Sequence, residues 1–311
     1  MKPFSIFSLL YSSQIASRPI SFKRRILAKI RKLICHILGD LPVKMEIHGR
    51  PMILPISHEL PNYLSLFPNY DRLPRKLSNF LITKKDFIRC IDVGANIGDT
   101  VAAFYHDQSR YLAIEPNPHF YRYLGENWGG YENIITESIL CSSVNMSEKF
   151  DVIEQKGTAQ MKASESGSDL RQLTLDSIIQ MHPEFLECDI LKIDTDGFDF
   201  KVMMGAKSLI EKSKPAVLFE CDDFGNTEYI SQFSECIELF LRSGYRYMLL
   251  YDHLGDFMGV FDFESRHSRT IFENLLKWQE KTQLTYFDIL MMHGDMPLHF
   301  LDYLGNHKIK Y

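Results

Sequence analysis

Several common signatures are missing from these 311 residues. The six cysteines (35, 90, 141, 188, 221 and 236) never stand in C-x-x-C spacing, and Cys90, Cys188 and Cys221 fall within or beside expected strands. That pattern argues against a zinc frame or a disulfide scaffold and for reduced, structural thiols of a cytosolic protein. No apolar run reaches the roughly 18 residues that span a bilayer. Met1 to Tyr11 holds a short apolar patch without a small-residue cleavage site, so no secretory signal is expected. The G-x-G-x-x-G spacing of dinucleotide binders is also absent. Net positive charge is confined to the N-terminus: residues 1–40 carry eight Lys/Arg against Asp40 alone, a balance of +7, which leaves −12 for the rest of a chain whose net charge is −5. A body this acidic lacks the clustered cations that phosphate backbones require, and nucleic acid is not expected as a partner.

What is present is enough apolar residue, 45%, for a large α/β core. Its centre is Cys90 to Thr100, in which an apolar strand runs into Gly94-Ala95-Asn96-Ile97-Gly98 and then into helix-compatible spacing. Strand, glycine turn and helix make a small-molecule pocket at the carboxyl end of a strand, where backbone N–H groups are expected to face the ligand. The next strand, Tyr111 to Ile114, ends in Glu115-Pro116-Asn117-Pro118: an acid at the strand terminus, an Asn N-cap and a Pro at the first helical position. An acid roughly 20 residues beyond the glycine loop can accept hydrogen bonds from both ribose hydroxyls of a nucleoside. A third strand, Asn133 to Leu140, places Glu137 and Ser138 where they either meet an adenine base or form an exposed strand end.

Residues 145–173 are polar, with a possible hairpin around Gly157 and a Ser164–Ser168 loop. The core pattern then resumes in strands at Ile190–Ile193, Ala216–Phe219, Tyr245–Tyr251 and Phe287–Met292, separated by helical spacing, which gives seven strands alternating with helices. In a mostly parallel sheet the glycine loop, Glu115, Asp194, Asp196, Glu220 and Asp222 converge at one edge. For Asp199, Asp222 and Asp223 a helix cap or solvated strand end is the plainer expectation.

The successive segments Ile91-Asp92-Val93-Gly94-Ala95-Asn96-Ile97-Gly98, Glu115-Pro116-Asn117, Thr174-Leu175-Asp176, Leu191-Lys192-Ile193-Asp194-Thr195-Asp196-Gly197 and the strand ending at Glu220 resemble, in order, the motifs of the FkbM family of S-adenosylmethionine-dependent methyltransferases. The resemblance covers about residues 88–293. It implies an α/β fold with a seven-stranded, mostly parallel, Rossmann-like sheet, helices on both faces and an antiparallel last strand. It implies S-adenosyl-L-methionine as cofactor, cradled at its amino-acid end by Gly94 and Gly98 and held at its ribose by Glu115, and methylation of hydroxyl groups on natural products or glycan sugars; Asp92, Asn96 and Asn117 are cofactor-binding candidates beside them. Two positions depart from the family pattern: Asp196 stands where Glu is common, and Asp222 where His often follows the second acid. The second departure removes the usual histidine and leaves His253 as its substitute. Asp194 is the first candidate for proton removal, with Glu220 and His253 behind it. No metal ligand is assigned, although Asp194, Asp196 and Glu220 are chemically able to hold Mg²⁺ or Mn²⁺.

The chain divides into a basic arm (1–40), a lead-in segment of short strands and turns (41–87), the methyltransferase domain (88–293) and a tail (294–311). From Ser21 to Leu38 apolar residues recur at three- and four-residue steps among six Lys/Arg, a basic amphipathic helix that suits either packing on the core or docking on an anionic membrane from the cytoplasmic side. The expected function is methyl transfer to a sugar or glycan hydroxyl. The alternatives are a nicotinamide-dependent oxidoreductase, disfavoured by the glycine spacing, and a non-catalytic membrane-associated member of the fold, disfavoured by intact Asp92, Glu115, Asp194 and Glu220.

Overall fold

The computed structural model describes residues 4–155, 158–164, 168–224 and 226–306. A helical hairpin, α1 (Phe4–Ile15) and α2 (Phe22–Leu38), leads into a strand hairpin, β1 (Pro42–Ile47) and β2 (Arg50–Pro55), and two helices, α3 (Leu60–Leu66) and α4 (Leu73–Ile82). The core opens with β3 (Arg89–Val93), α5 (Asp99–Phe104), β4 (Arg110–Ile114), α6 (Pro118–Trp128) and β5 (Ile134–Glu137). A side sheet follows, made of β6 (Leu140–Cys141), β7 (Met146–Gln155), β8 (Thr158–Ala163) and β9 (Ser168–Leu173). The core resumes with α7 (Leu175–Met181), β10 (Ile190–Ile193), α8 (Asp199–Gly205), α9 (Lys207–Ser213), β11 (Ala216–Cys221) and α10 (Tyr229–Arg242). It closes with β12 (Tyr245–Asp252), β13 (Phe257–Asp262), α11 (Arg266–Thr282), β14 (Phe287–His293) and α12 (Met296–Asn306).

The central sheet has the order β13-β12-β14-β11-β10-β3-β4-β5. Pairings among β11, β10, β3, β4 and β5 are parallel, and β14 is antiparallel to both β11 and β12. The expected α/β fold and its seven core strands are therefore present, with one addition. β13 pairs antiparallel with β12 as an eighth, edge strand; its residues are mostly exposed or half-buried, so no alternating apolar pattern announces it. The third expected strand is shorter than read, because the chain leaves the central sheet after Glu137 and Leu140 joins the side sheet. β7 and β8 form the expected hairpin, pairing from Phe150↔Ala163 to Gln155↔Thr158; Gly157 and residues 165–167 lie outside the described residues. The lead-in segment holds two helices besides its strands, and residues 296–306 of the tail are helical.

The core strands are buried on both faces, and their residues divide by alternation between two apolar layers. Ile91, Val93, Leu191, Ile193, Val217, Phe219 and Ile289 belong to the layer shared with α8, α10 and α11. Cys90, Ile190, Leu218 and Leu290 belong to the opposite layer, shared with α4, α5, α6 and the β1–β2 hairpin. By the same alternation Asp92, Lys192, Glu220 and Asp288 face that second layer, on four adjacent strands. Their register is direct: Asp92 pairs with Lys192, and Glu220 with Asp288. A row of polar groups thus crosses the sheet near the carboxyl ends of its parallel strands.

Candidate active site

The glycine loop is fixed by contacts no other residue permits. Gly94 has φ +81°, and a Cβ there would lie 1.7 Å from the Asp194 carbonyl oxygen. Gly98 has φ +84°, and a Cβ would strike the Trp128 indole at 2.2 Å, whose Nε1 donates to the Gly98 carbonyl at 2.9 Å. Contrary to the sequence expectation, most of the loop's N–H groups are engaged within the protein. Gly94 and Ala95 donate to the Ile114 carbonyl (2.9 and 3.0 Å), Gly98 to that of Ala95 (2.7 Å), and Asn96 to Glu115 Oε2 (2.8 Å). Few of the loop's donors are therefore left for a ligand, and the space its two glycines open is filled by Asp194 and Trp128.

Glu115 is the buried anchor of this arrangement. Its Oε1 accepts from the Asn117 N–H and its Oε2 from the Asn96 N–H, both at 2.8 Å, so two carboxylate oxygens are oriented and each keeps lone-pair capacity. Burial pushes the carboxyl up to about 7, against those two N–H bonds and the nearby Lys192. Asn117 is buried and its side chain caps α6, accepting from the His119 N–H at 2.8 Å.

Two adjoining cavities meet at this edge. The first, about 150 Å³, is bounded by Gly94, Asn96 and Glu115 on one side and by apolar Phe120, Ile139 and Leu140 on another. The second, about 110 Å³, is bounded by Glu220, Asp288, His253, Tyr286 and Asp71. Leu60, Tyr70, Asp99, Thr100, Lys192 and Asp194 border both. Lys192 is the hinge of the electrostatics: it is buried, with Nζ 3.2 Å from Asp92 Oδ1, Asp194 Oδ2 and the Gly94 carbonyl. Although burial opposes its charge, the acids Asp194, Asp92 and Asp99 hold it well above the usual lysine range.

The carboxyls around it carry the opposite problem. Burial raises Asp92, and pushes Asp99 up to about 7 with Asp71 adding to the effect. Asp288 is pushed up to about 8 by burial and by Asp194. Glu220 is raised well above the carboxylate range by burial and by Asp194, and its Oε2 is buried with no hydrogen-bond partner among the described residues. Asp194 differs, with a half-exposed side chain tied to Lys192. Asp199 is buried, and its Oδ2 accepts from Thr195 Oγ1 (3.0 Å) and the Gly197 N–H (3.4 Å), which braces the loop where Asp196 holds φ +48°.

The structure thus brings together Asp92, Gly94, Asn96, Glu115, Asp194, Glu220 and His253. Glu137 and Ser138 border neither cavity: Glu137 Oε1 is 2.8 Å from His182 Nε2, and Ser138 is exposed. Their neighbours Ile139 and Leu140 supply the wall instead, because the chain turns out of the sheet at that point. Gly98 and Asn117 support the loop and α6 without bordering either cavity. His253 lies at the second cavity's edge, its Nδ1 2.7 Å from Thr285 Oγ1. Asp222 borders a separate depression with Asp223 and Gln283. Sequence reasoning missed Lys192 and Asp288, each the lone charge in an apolar strand, which was the available signal. It also missed His58, for which no local signal exists. His58 is fully buried and held neutral, its ring pushed down to about 4; Nδ1 accepts from the Leu60 N–H and Nε2 lies 3.3 Å from Asn96 Oδ1. Among the described residues no group of three or more His, Cys, Asp or Glu could hold a metal ion, and no helix is long and apolar enough to cross a membrane.

A mostly parallel sheet with a glycine loop and a buried acid at its carboxyl edge places the molecule in the Rossmann-like α/β class. The family model of the FkbM methyltransferase domain matches residues 92–247. The chain belongs to that family, and its cofactor is S-adenosylmethionine. Similar solved structures include an FkbM methyltransferase from Methylobacillus flagellatus KT (14% identity, 61% of this chain and 55% of that one, TM-score 0.36). An O-methyltransferase dependent on S-adenosylmethionine from Thermotoga maritima is another (13%, 70% and 64%, 0.35). A third is the METTL16 methyltransferase domain (12%, 93% and 91%, 0.46). The match spans about half the length of the Methylobacillus chain. No curated protein matches.

The residues fit the cofactor. A buried carboxylate with lone-pair capacity faces the first cavity, Gly94 and Asn96 border it beside that carboxylate, and apolar side chains form another wall. The acidic surroundings suit a ligand bearing a sulfonium and an ammonium.

Proposed function

We propose that this chain is an O-methyltransferase acting on a hydroxyl of a sugar or glycan precursor. The observation that carries the reading is the pair of adjoining cavities that share Lys192 and Asp194, one carrying the nucleoside-binding features and the other an acid pair on neighbouring strands. In this reading Glu115 accepts the ribose hydroxyls, Gly94 and Asn96 receive the amino-acid end, and Phe120, Ile139 and Leu140 enclose the base. Asp92 acts through Lys192, holding its ammonium against the Gly94 carbonyl. Bound S-adenosylmethionine supplies a methyl group already activated on a sulfonium. The protein's task is then to align the acceptor oxygen and relieve it of its proton.

Among the three candidate bases we favour Glu220. Asp194 is half in solvent with one oxygen tied to Lys192, which suits holding a second acceptor hydroxyl in place. Glu220 has an unpartnered buried oxygen at the second cavity, and the facing Asp288 makes the loss of both protons costly. Glu220, as its carboxylate and with Asp288 opposite it on β14, accepts the hydroxyl proton as the oxygen–methyl bond forms and the sulfonium carbon–sulfur bond breaks. Polyhydroxylated acceptors suit a cavity lined by carboxyls, which bind vicinal hydroxyls as acceptors.

Calorimetry with S-adenosylmethionine and with NAD tests the cofactor half. Glu115→Ala should lose about 1.5–3 kcal/mol, or ~10–150-fold in affinity for S-adenosylmethionine. Equal binding by the variant overturns the ribose assignment. The acceptor half is tested by mass spectrometry of glycans and their precursors with and without the gene, where the expected difference is one methyl group per acceptor. Unchanged glycans alongside a methylation difference on amines or thiols would refute hydroxyl transfer.

A further inference from the structure

The helix predicted as basic and amphipathic is packed the opposite way round from an ordinary surface helix. Its buried face is centred on two arginines: Arg24 and Arg31 are buried. Arg24 donates to Asn62 Oδ1 (3.1 Å), Ser65 Oγ (2.8 Å) and the carbonyls of Ile15 and Ser17 (3.2 and 3.1 Å). Arg31 donates to the Ile56 carbonyl (2.7 Å), pairs with Glu59 and lies over the Tyr11 ring at 4.4 Å. Every one of these contacts draws α2 onto α1, the turn between them or the lead-in segment around α3.

Ile34 and Cys35 also pack on the core, but one apolar stripe is left outside. Phe22, Ile26, Ile30, Leu33 and Ile37 are 39 to 79% exposed. At 100° per residue they fall within roughly 80° of one another, about opposite Arg24 and Arg31. Lys23 flanks the stripe on one side; Arg25, Lys29 and Lys32 flank it on the other, all exposed. Ile6 and Leu9 of α1 and Ile20 of the connecting turn are exposed as well. Solvated apolar stripes of this size carry a cost, so the face is built for a partner.

We infer that the outer face of α1–α2 docks on an anionic phospholipid surface, with the apolar stripe in the acyl boundary and the flanking lysines at the headgroups. Charge complementarity selects this occupant. Two copies meeting stripe to stripe would bring their lysine rows together, whereas an anionic headgroup layer meets every cation on both flanks. The docking is rigid with respect to the cofactor cavity, because α3 both receives Arg24 and, through Leu60 and Tyr63, borders that cavity. The lipid face and the site are thus joined through α2 and α3, which suits an acceptor carried at the membrane.

The test uses the full chain without cofactor or acceptor, so its outcome is separate from that of the methyltransferase reading. Sedimentation with vesicles of phosphatidylcholine and phosphatidylglycerol in equal parts should carry the protein down, and pure phosphatidylcholine or high salt should release most of it. Lys23→Gln/Lys29→Gln/Lys32→Gln should weaken partitioning on the order of a hundredfold, at about fivefold per charge removed. Ile30→Asn/Leu33→Asn should abolish it with unchanged melting and cofactor affinity, since neither side chain packs on the core. The inference is overturned if the parent stays in the supernatant with anionic vesicles, or if the Ile30→Asn/Leu33→Asn chain pellets equally. It is overturned in favour of self-association if sedimentation velocity shows a dimer that those substitutions dissolve while vesicles bind neither form.

Discussion

Replacing Lys192 with methionine isolates what one buried charge holds in place. Methionine keeps most of the side-chain volume and removes the ammonium that lies 3.2 Å from both Asp92 and Asp194. Asp194 is half exposed, and water compensates its loss. Asp92 is 2% exposed and has no hydrogen-bond partner among the described residues besides that ion pair. Breaking a buried pair from one side costs about 3–5 kcal/mol when the remaining charge persists. A carboxyl can escape the cost by taking up a proton, so the deficit must depend on pH. Burial already raises Asp92 despite Lys192, and without the lysine its proton affinity in the folded state rises further. A folded-state pKa above the unfolded value stabilises the fold below the unfolded pKa, and that contribution is lost as pH rises through the folded one. The variant should therefore be close to the parent in mild acid and fall behind by up to about 1.4 kcal/mol per pH unit until Asp92 is ionised. Urea denaturation of both proteins at about pH 5 and about pH 8 measures this directly. Adding Asp92→Asn to Lys192→Met should restore over half the loss and abolish its pH dependence. A deficit equal at both pH values, or below about 1 kcal/mol at the higher one, refutes the reasoning.

Three further sets of outcomes follow from the same edge of the sheet. Glu220→Gln should cut turnover by ~10²–10⁴ with folding and cofactor affinity preserved and with no dependence on chelator, whereas Asp194→Asn should act mainly on KM for the acceptor. Because Glu220 is raised partly by the acids around it and Asp288 sits at about 8, kcat should climb with pH through the alkaline range; Asp288→Asn should move that rising limb to lower pH, and an unmoved limb separates Asp288 from the proton. Gly94→Ala places a methyl 1.7 Å from a backbone carbonyl at a left-handed φ, so the chain should fail to fold or melt many degrees lower, and a parent-like melting curve would show that the loop can move.

The sequence made the sheet legible because its strands are buried on both faces and read as unbroken apolar runs, and because a strand's end is where glycine or an acid interrupts the run. β13 gave no such run: an edge strand with exposed residues needs only a partner's backbone. The helices α3 and α4 were hidden by Pro61 and Pro74, which read as turns yet stand in their first turns, where proline is tolerated. At the site, Glu115 and Gly94 could be found because their neighbours in sequence are also their neighbours in space. His58 reaches Asn96 across 38 positions, and Glu220 meets Asp288 across two strands that are far apart in the chain. Pairings of that kind are properties of topology. The loop's N–H groups were assigned to a ligand because a turn leaves them unpaired locally, and it is the neighbouring strand's Ile114 carbonyl that claims two of them.

The first cavity, proposed for the cofactor, is walled on one side by His58, Leu60, Tyr63 and Tyr70, which precede the first core strand and the residues that the family model covers. The unit of inheritance and the unit of function therefore have different borders. The sheet supplies the floor, and a short prefix outside the strand ladder supplies the ceiling, anchored by Leu60 in the core layer. Substitution of Tyr63, which is 43% exposed, can reshape the chamber while every strand keeps its place. A change of acceptor is then open to this lineage by exchanging a segment shorter than two helices, and a chimaera grafting only the sheet would carry its cofactor loop without its own selectivity.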